Sequence, residues 1–91
     1  MNILKRNGSE VLFDRNKIAV AISKACNEVD EKDRLPLEQI LQIAFEIEKQ
    51  CEHLGYEVTV EDVQDMVEKQ ILSAGACTLA RTYMKYRQEN N

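Results

Sequence analysis

The sequence contains no apolar run near the roughly 20 residues that a membrane-spanning helix needs. Its N-terminus also lacks the basic and then apolar order of a signal peptide, so we expect a cytoplasmic protein without a membrane partner. No internal repeat, low-complexity tract or linker divides the 91 residues. They have room for one domain, and a domain of this size has only marginal stability without a ligand or partner.

Tryptophan is absent and histidine occurs once, at position 53. With two Phe and three Tyr in a 44% hydrophobic composition, the core should consist mainly of Leu, Ile, Val and Ala. We expect His53, near the end of a helix, to face solvent rather than to act as a general base. The sequence therefore provides no catalytic residue.

The three cysteines, Cys26, Cys51 and Cys77, are far apart and form no C-x-x-C pair. This spacing indicates neither a zinc site nor a disulfide framework. We predict buried thiols. Cys26 lies on the apolar side of its helix, which favours a buried thiol over a reactive one.

The net charge of −4 does not favour a polyanion such as DNA as a partner. The charge is, however, uneven along the chain. Through Lys24 there are five basic and two acidic residues, whereas the rest of the chain has seven basic and fourteen acidic ones. A local positive patch suits a small phosphorylated ligand better than a long duplex, although scattered solvated Lys and Arg residues would give the same count.

The pair Asn7-Gly8 lies between two short apolar runs near the N-terminus. Because type I′ turns need positive φ at both central residues, Asn-Gly strongly favours a hairpin. We predict a β-hairpin over residues 1–14 with its tip at Asn7-Gly8. Asp14 is then placed to cap a following helix, with Phe13 packed on Ile18 as a hydrophobic staple.

This corner brings four basic residues, Lys5, Arg6, Arg15 and Lys17, towards a helix N-terminus. Unpaired N–H groups and the helix dipole favour anions there. The pattern therefore predicts a phosphate site. Since neighbouring strand residues point to opposite faces, Lys5 and Arg6 reach one phosphate group only if it lies across the edge or end of the sheet.

Apolar residues at helical spacing predict four helices, over 15–29, 37–53, 60–74 and 77–88. Gly55 and Gly75 are expected to end the second and third of these. Thr59 and Asp62 have the spacing of a capping box before the third. Residues 56–59 are extended in character and are expected to add a third strand, because a lone hairpin is marginal in water. The prediction is an α+β fold in which a small three-stranded sheet caps a four-helix bundle.

Three segments of the chain together resemble one family. The segments are residues 4–8 (Leu-Lys-Arg-Asn-Gly) with 11–14 and 17–18, residues 58–68, and residues 80–87 (Ala-Arg-Thr-Tyr-Met-Lys-Tyr-Arg), which are similar, in order, to the ATP-cone. The ATP-cone is the regulatory nucleotide-binding domain at the N-terminus of many ribonucleotide reductases. The resemblance covers nearly the whole chain and implies the same bundle with a small sheet on one end.

The resemblance also implies a binding site for ATP or dATP, with Mg²⁺ arriving on the nucleotide. Matching positions assign Lys5, Arg6 and Lys17 to phosphate oxygens, Val11, Leu12, Phe13 and Asp14 to the base and sugar, and Val60 and Gln64 to the far side. Some members have a hydroxyl residue at the position of Val60, a histidine at that of Gln64 and a lysine at that of Gln88, which bears on how many nucleotides bind.

Two other binding interpretations compete in the C-terminal half. Glu61, Asp62 and Asp65 are possible Mg²⁺ ligands, but acidic residues in a first helical turn more often oppose the helix dipole. Tyr83, Tyr86 and Arg87 are a possible base-stacking set. Core packing for Tyr83 and surface cover for Tyr86 are the favoured alternative.

Three functions remain open on the sequence alone. The first is an allosteric domain, without an active site of its own, that binds ATP or dATP and switches a reductase catalytic subunit through the rest of that subunit or a partner subunit. The second is the nucleotide-sensing half of a repressor of reductase genes. Such repressors carry a zinc ribbon ahead of the cone, whereas here two residues precede Ile3, the first residue of the apolar run that opens the hairpin. The third is a helical protein-interaction module whose basic corner is incidental.

Overall fold

The computed structural model describes residues 1–54 and 56–89, which form four α-helices and a two-stranded antiparallel sheet. The predicted α+β class is confirmed. In chain order the elements are β1 (Asn2–Leu4), β2 (Glu10–Leu12), α1 (Arg15–Cys26), a 3₁₀ turn (Glu31–Asp33), α2 (Leu37–Glu52), α3 (Val60–Ser73) and α4 (Cys77–Glu89).

The four helices pack as a bundle in which α1 lies against α2 and α4, and α3 lies against the same two helices. The most deeply buried large side chains come from every helix: Ile22, Ile47, Ile71, Leu79 and Val67. The apolar faces that the sequence predicts for the four helices therefore pack together in one core. Within the described residues, no helix has both the length and the apolar character required to traverse a bilayer.

The hairpin turn differs from the predicted type. Among the turn residues only Gly8 has positive φ, at 88°, so Asn7 is not in the left-handed region that a type I′ turn requires. Instead the amide of Gly8 donates to the carbonyl of Lys5 at 3.0 Å, and the amide of Lys5 donates to Ser9 at 2.8 Å. This pattern is a three-residue loop with a type I turn centred on Arg6-Asn7 and Gly8 in the following bulge. The Asn7 side chain accepts from the Ser9 amide at 3.0 Å and thereby stabilises it.

The third strand of the prediction is reduced to a single bridge among the described residues. The amide of Leu4 donates to the carbonyl of Val58 at 2.9 Å, and Leu4 pairs in parallel with Thr59. Thr59 is already the N-cap of α3, so the chain turns into the helix before a second residue can join the sheet. Residue 55, predicted to end the second helix, lies outside the described residues.

Both predicted N-caps form. Asp14 accepts from the amide of Asn16 at 2.9 Å. Thr59 and Asp62 complete a reciprocal capping box in which each side chain bonds the other's amide at 3.0 Å. The carboxylate and hydroxyl oxygens thus satisfy amides that the first turns of α1 and α3 leave unpaired.

The C-terminal ends of the helices are set by local hydrogen bonds. At Gly75, where φ is 79°, the amide donates to Leu72 and the next amide donates to Ile71, which together form a Schellman motif. Helix α1 ends earlier than the predicted 15–29 segment, because the amide of Glu28 bonds Ala25 and tightens the chain after Cys26 into a turn.

The cysteines divide into two classes. Cys26 and Cys51 are buried, and burial together with Asp62 and Glu48 raises the pKa of the Cys51 thiol. Cys77 is exposed, so the prediction of a buried thiol is wrong there. Cys77 is the first residue of α4, and that helix turns Leu79, Ala80 and Tyr83 to the core instead.

Candidate functional site

A cavity of about 300 Å³ lies where the hairpin meets the N-terminal turns of α1 and α3. Its volume is at the lower end of the range for small-molecule sites. The lining residues come from the hairpin (Ile3, Lys5, Val11, Leu12, Phe13), from α1 with its cap (Asp14, Lys17, Ile18, Ala21), from α3 (Val60, Val63, Gln64) and from α4 (Tyr83).

The local folding of each element places these side chains. The carbonyl of Met1 accepts from the amide of Phe13 at 2.7 Å, which extends the hairpin pairing to the point where the chain turns into α1. Phe13 is then buried, and Lys17 lies in the first turn of α1 after the Asp14 cap. On α3, Val60 and Gln64 are one turn apart and so share a face.

Two lysines give the cavity its positive charge. Lys5 follows β1 and Lys17 lies in the first turn of α1, and both line the cavity. Neither forms an ion pair with an acidic side chain of residues 1–54 or 56–89. The one carboxylate in the lining, that of Asp14, accepts from the amide of Asn16. Both ammonium groups are therefore available to an anionic ligand.

The other two basic residues of the predicted corner are directed elsewhere. The Arg15 Nη1 contacts Glu48 Oε1 at 3.1 Å, and its guanidinium lies 5.5 Å from the ring centroid of Phe45. The Arg6 Nε contacts Glu61 Oε1 at 3.3 Å on the first turn of α3. Eight of the nine predicted site residues line the cavity, and Arg6 is the exception. Lys5 and Arg6 separate because Arg6 is a central residue of the hairpin turn, where the chain has already left the direction of β1.

Five cavity residues were not predicted as site residues: Ile3, Ile18, Ala21, Val63 and Tyr83. Helix periodicity offered a signal for two of them, because Ala21 is one turn after Lys17 and Val63 is one turn after Val60. For Tyr83 core packing was the favoured prediction and base stacking the alternative. It is 4% exposed and reaches the cavity from α4, a placement that depends on tertiary packing.

Gln64, one of the residues that line the cavity, has an unsatisfied polar atom. Its Oε1 is buried and has no hydrogen-bond partner among the described residues. An acceptor without a partner costs free energy when it is buried, and the cost is recovered when a donor reaches it. Hydroxyl and amino groups of a nucleoside are donors of this kind, whereas phosphate oxygens are acceptors.

Tyr83 remains neutral over a wide pH range. Burial raises its pKa to about 12, while the nearby Arg87 guanidinium lowers the pKa and Glu68 raises it. The hydroxyl of Tyr83 is thus protonated and a potential hydrogen-bond donor at neutral pH.

This raised pKa predicts a loss of stability at high pH. Above pH 10 the unfolded chain releases the Tyr83 proton and the folded chain retains it up to about pH 12, so unfolding becomes more favourable. The expected loss is roughly 1.4 kcal/mol per pH unit over that interval. Urea unfolding at several pH values should show it in the wild-type protein and show a smaller loss in Tyr83→Phe. Equal slopes for both proteins would contradict the assignment.

The three carboxylates considered as Mg²⁺ ligands are each held by a different partner. Glu61 contacts Arg6, Asp62 belongs to the capping box, and Asp65 Oδ1 lies 2.8 Å from Arg87 Nη1. Arg87 also contacts Glu68 at 2.7 Å. The two Arg87 pairs join α3 to α4, and the Arg87 side chain is 16% exposed. Tyr83 and Tyr86 pack with their ring centroids 6.5 Å apart. His53 is exposed, as predicted.

Comparison with known proteins connects this geometry to one family. A family model described as the ATP cone domain matches residues 1–91. The ribonucleoside-diphosphate reductase subunit alpha of Chlamydia trachomatis is 38% identical over 96 residues, covering 96% of this chain and 9% of that protein. The anaerobic ribonucleoside-triphosphate reductase of Haemophilus influenzae is 31% identical, covering 98% of this chain and 12% of that protein.

A relative of a different kind also matches. The transcriptional repressor NrdR of Carboxydothermus hydrogenoformans is 33% identical over 87 residues, covering 94% of this chain and 54% of the repressor. The chain thus spans about a tenth of the reductase relatives and about half of the repressor.

Proposed function

Because this chain belongs to the ATP-cone family, a family of regulatory nucleotide-binding domains, we propose that it binds ATP or dATP and thereby switches the activity of a ribonucleotide reductase catalytic subunit. The ligand arrives with Mg²⁺, and the module acts in the cytoplasm. Its partners are the remainder of the reductase subunit or a neighbouring subunit. The role is regulatory, and reduction of the ribonucleotide belongs to the catalytic subunit.

The observation that carries this proposal is the division of the cavity into an apolar wall and two lysines without acidic partners. A nucleotide has the same division, with a flat base and sugar at one end and phosphates at the other. We assign Lys5 and Lys17 to the phosphates, the segment Val11, Leu12, Phe13 and Asp14 to the base and sugar, and Val60 and Gln64 to the far side. Arg6 joins the phosphates from outside the cavity.

Switching requires that the ligand prefers one of two states of the larger protein, since a ligand moves an equilibrium only through its differential affinity. The cavity is shared by the hairpin, α1 and α3. A change at the 2′ position or in the tilt of the base would therefore alter the relative positions of these elements. Their outer surfaces would then form different subunit contacts with ATP and with dATP.

A second candidate function is nucleotide sensing in a repressor, supported by the likeness to NrdR over half of that protein. The proposed site is the same in both cases, so nucleotide binding does not separate them. Specific DNA binding by the protein that carries this chain would favour the repressor. Nucleotide-dependent change in reductase activity would favour the first proposal.

We expect ATP or dATP with Mg²⁺ to stabilise the chain strongly. Ligand at 100 times its dissociation constant adds about 2.7 kcal/mol, and 1 kcal/mol corresponds to about 4–8 °C in a domain of this size. A thermal melt should therefore shift upwards by about 10–20 °C. Adenosine, which lacks phosphates, is the matched control and should give a much smaller shift. No shift with either nucleotide would favour the helical interaction module instead.

A further inference from the structure

The ion pair between Arg6 and Glu61 lies beside the cavity. Arg6 directly follows the cavity residue Lys5, and Glu61 directly follows the cavity residue Val60. The bridge between Leu4 and Thr59 brings these two chain segments together. Each partner of the pair is thus the sequence neighbour of a residue that lines the cavity.

The contact between Arg6 and Glu61 is weak, because it is a single contact, it is long, and both side chains are accessible to solvent. It joins a single nitrogen, Nε, to a single oxygen at 3.3 Å, whereas Arg87 contacts its two carboxylates at 2.8 and 2.7 Å. The Arg6 side chain is 69% exposed and that of Glu61 is 34% exposed. An exposed pair of this kind changes an equilibrium by at most about fivefold. Arg6 can therefore change partner at little cost, by rotating its side chain while the hairpin backbone stays in place.

The side chains that line the cavity offset less of the charge of a triphosphate than of a diphosphate, since the Mg²⁺ that accompanies either nucleotide contributes the same charge to both. Its lining has two cations, Lys5 and Lys17, and one anion, Asp14. Each additional phosphate brings further negative charge and new acceptor oxygens. A third phosphate would need another donor, and guanidinium is the group best matched to phosphate oxygens.

We propose that Arg6 remains paired with Glu61 until a triphosphate binds, and that the third phosphate of the nucleotide then replaces Glu61 as the partner of Arg6. Glu61 is then a specificity-determining residue that sets the preference for a triphosphate over a diphosphate. The exchange also breaks the side-chain link between the hairpin and α3. The side-chain contacts between the hairpin and α3 therefore differ between the triphosphate complex and the diphosphate complex. This inference rests on the proposed nucleotide function and adds to it a residue that distinguishes a triphosphate from a diphosphate.

The test is calorimetry of the full chain with ATP and with ADP, each with Mg²⁺. Glu61→Gln keeps the size of the side chain and removes its charge, so Arg6 is released before the ligand arrives. We expect ATP affinity to rise about three- to fivefold and ADP affinity to change less than twofold. Arg6→Ala should weaken ATP more than ADP. In the Arg6→Ala background, Glu61→Gln should give no further gain for ATP.

Glu57→Gln is the matched control for a general charge effect. Glu57 precedes the same bridge, is exposed, and makes no side-chain hydrogen bond or ion pair with the described residues. We expect this variant to change ATP affinity less than twofold. Melts without nucleotide check that each variant is folded, since Glu61 lies in the first turn of α3.

Three results would overturn the inference while leaving the nucleotide function intact. They are equal gains for ATP and ADP in Glu61→Gln, an equal gain in Glu57→Gln, and a gain that persists without Arg6. Failure of the wild-type chain to bind either nucleotide would instead remove the proposed function itself.

Discussion

Lys17→Ala is expected to weaken the binding of ATP and dATP by about 10- to 100-fold, because a hydrogen bond to a charged group is worth about 1.5–3 kcal/mol. Lys17 lines the cavity in the first turn of α1, beside the apolar wall and without an acidic partner in the described chain. Lys5→Ala should have an effect of similar size. Calorimetry with Mg²⁺ and either nucleotide measures both losses.

Arg15→Ala is the matched control for Lys17→Ala. It removes the same charge from the same helical turn, but the Arg15 side chain is directed to Glu48 and Phe45 on α2. We expect its effect on affinity to be less than about fivefold, as for an exposed ion pair or a screened charge. If Arg15→Ala weakened binding as much as Lys17→Ala, the phosphates would lie on the α2 side of the helix. Unchanged affinity in both lysine variants would place the ligand outside the cavity.

Ile22→Ala is expected to destabilise the fold by about 2–5 kcal/mol. Ile22 is 0% exposed and lies at the centre of α1, the helix that packs on both α2 and α4. Small domains have unfolding free energies near the lower end of about 5–15 kcal/mol, so this single change should leave a large unfolded fraction near body temperature. Urea unfolding followed by circular dichroism measures the loss.

Val20→Ala provides the control on the same helix. Val20 is 51% exposed, and alanine has the higher helix propensity, so we expect a change within about 0.5 kcal/mol. A loss in Val20→Ala as large as that in Ile22→Ala would mean that α1 presents a different face to the core. Saturating nucleotide should recover part of the Ile22→Ala loss, because binding to the folded state alone shifts the folding equilibrium.

The parts of the fold that the sequence predicts well are those governed by neighbouring residues. The Asp14 cap and the Thr59–Asp62 capping box depend on spacings of two and three residues, and both form. The Gly75 stop forms for the same reason. The apolar stripe of α1 likewise becomes a buried face at Ile18, Ile22 and Ala25.

Errors arose where two segments meet. The extended character of residues 56–59 was visible, but pairing ended after one bridge because Thr59 is committed to the α3 cap. Phe45 lies at the edge of the apolar stripe of α2 and is 39% exposed, in contact with the cations of Arg15 and Lys49. An apolar residue at the edge of a stripe is buried only if a neighbouring helix covers it, and periodicity carries no information on that neighbour.

The candidate site could also be predicted only in part, because the sequence does not show which segments pack together. Strand alternation indicated that Lys5 and Arg6 point apart, but the choice of Lys5 for the cavity depends on how the hairpin docks. The ion pair of Arg6 with Glu61 joins residues 55 positions apart in the chain. The contribution of Tyr83 likewise depends on α4 packing near the hairpin. The sequence indicated most residues of the candidate site, whereas the contacts that these residues make could be identified only from the tertiary structure.

The exposure of one thiol has a practical use. With Cys26 and Cys51 enclosed and Cys77 open to solvent at the start of α4, a maleimide dye or a nitroxide reagent would attach at a single known position of the unmodified sequence. The attachment point lies on a different element from both lysines of the cavity. Fluorescence or spin-resonance spectra of the labelled protein would therefore report whether a ligand in the cavity changes the surroundings of the first residue of α4, with no engineered cysteine required.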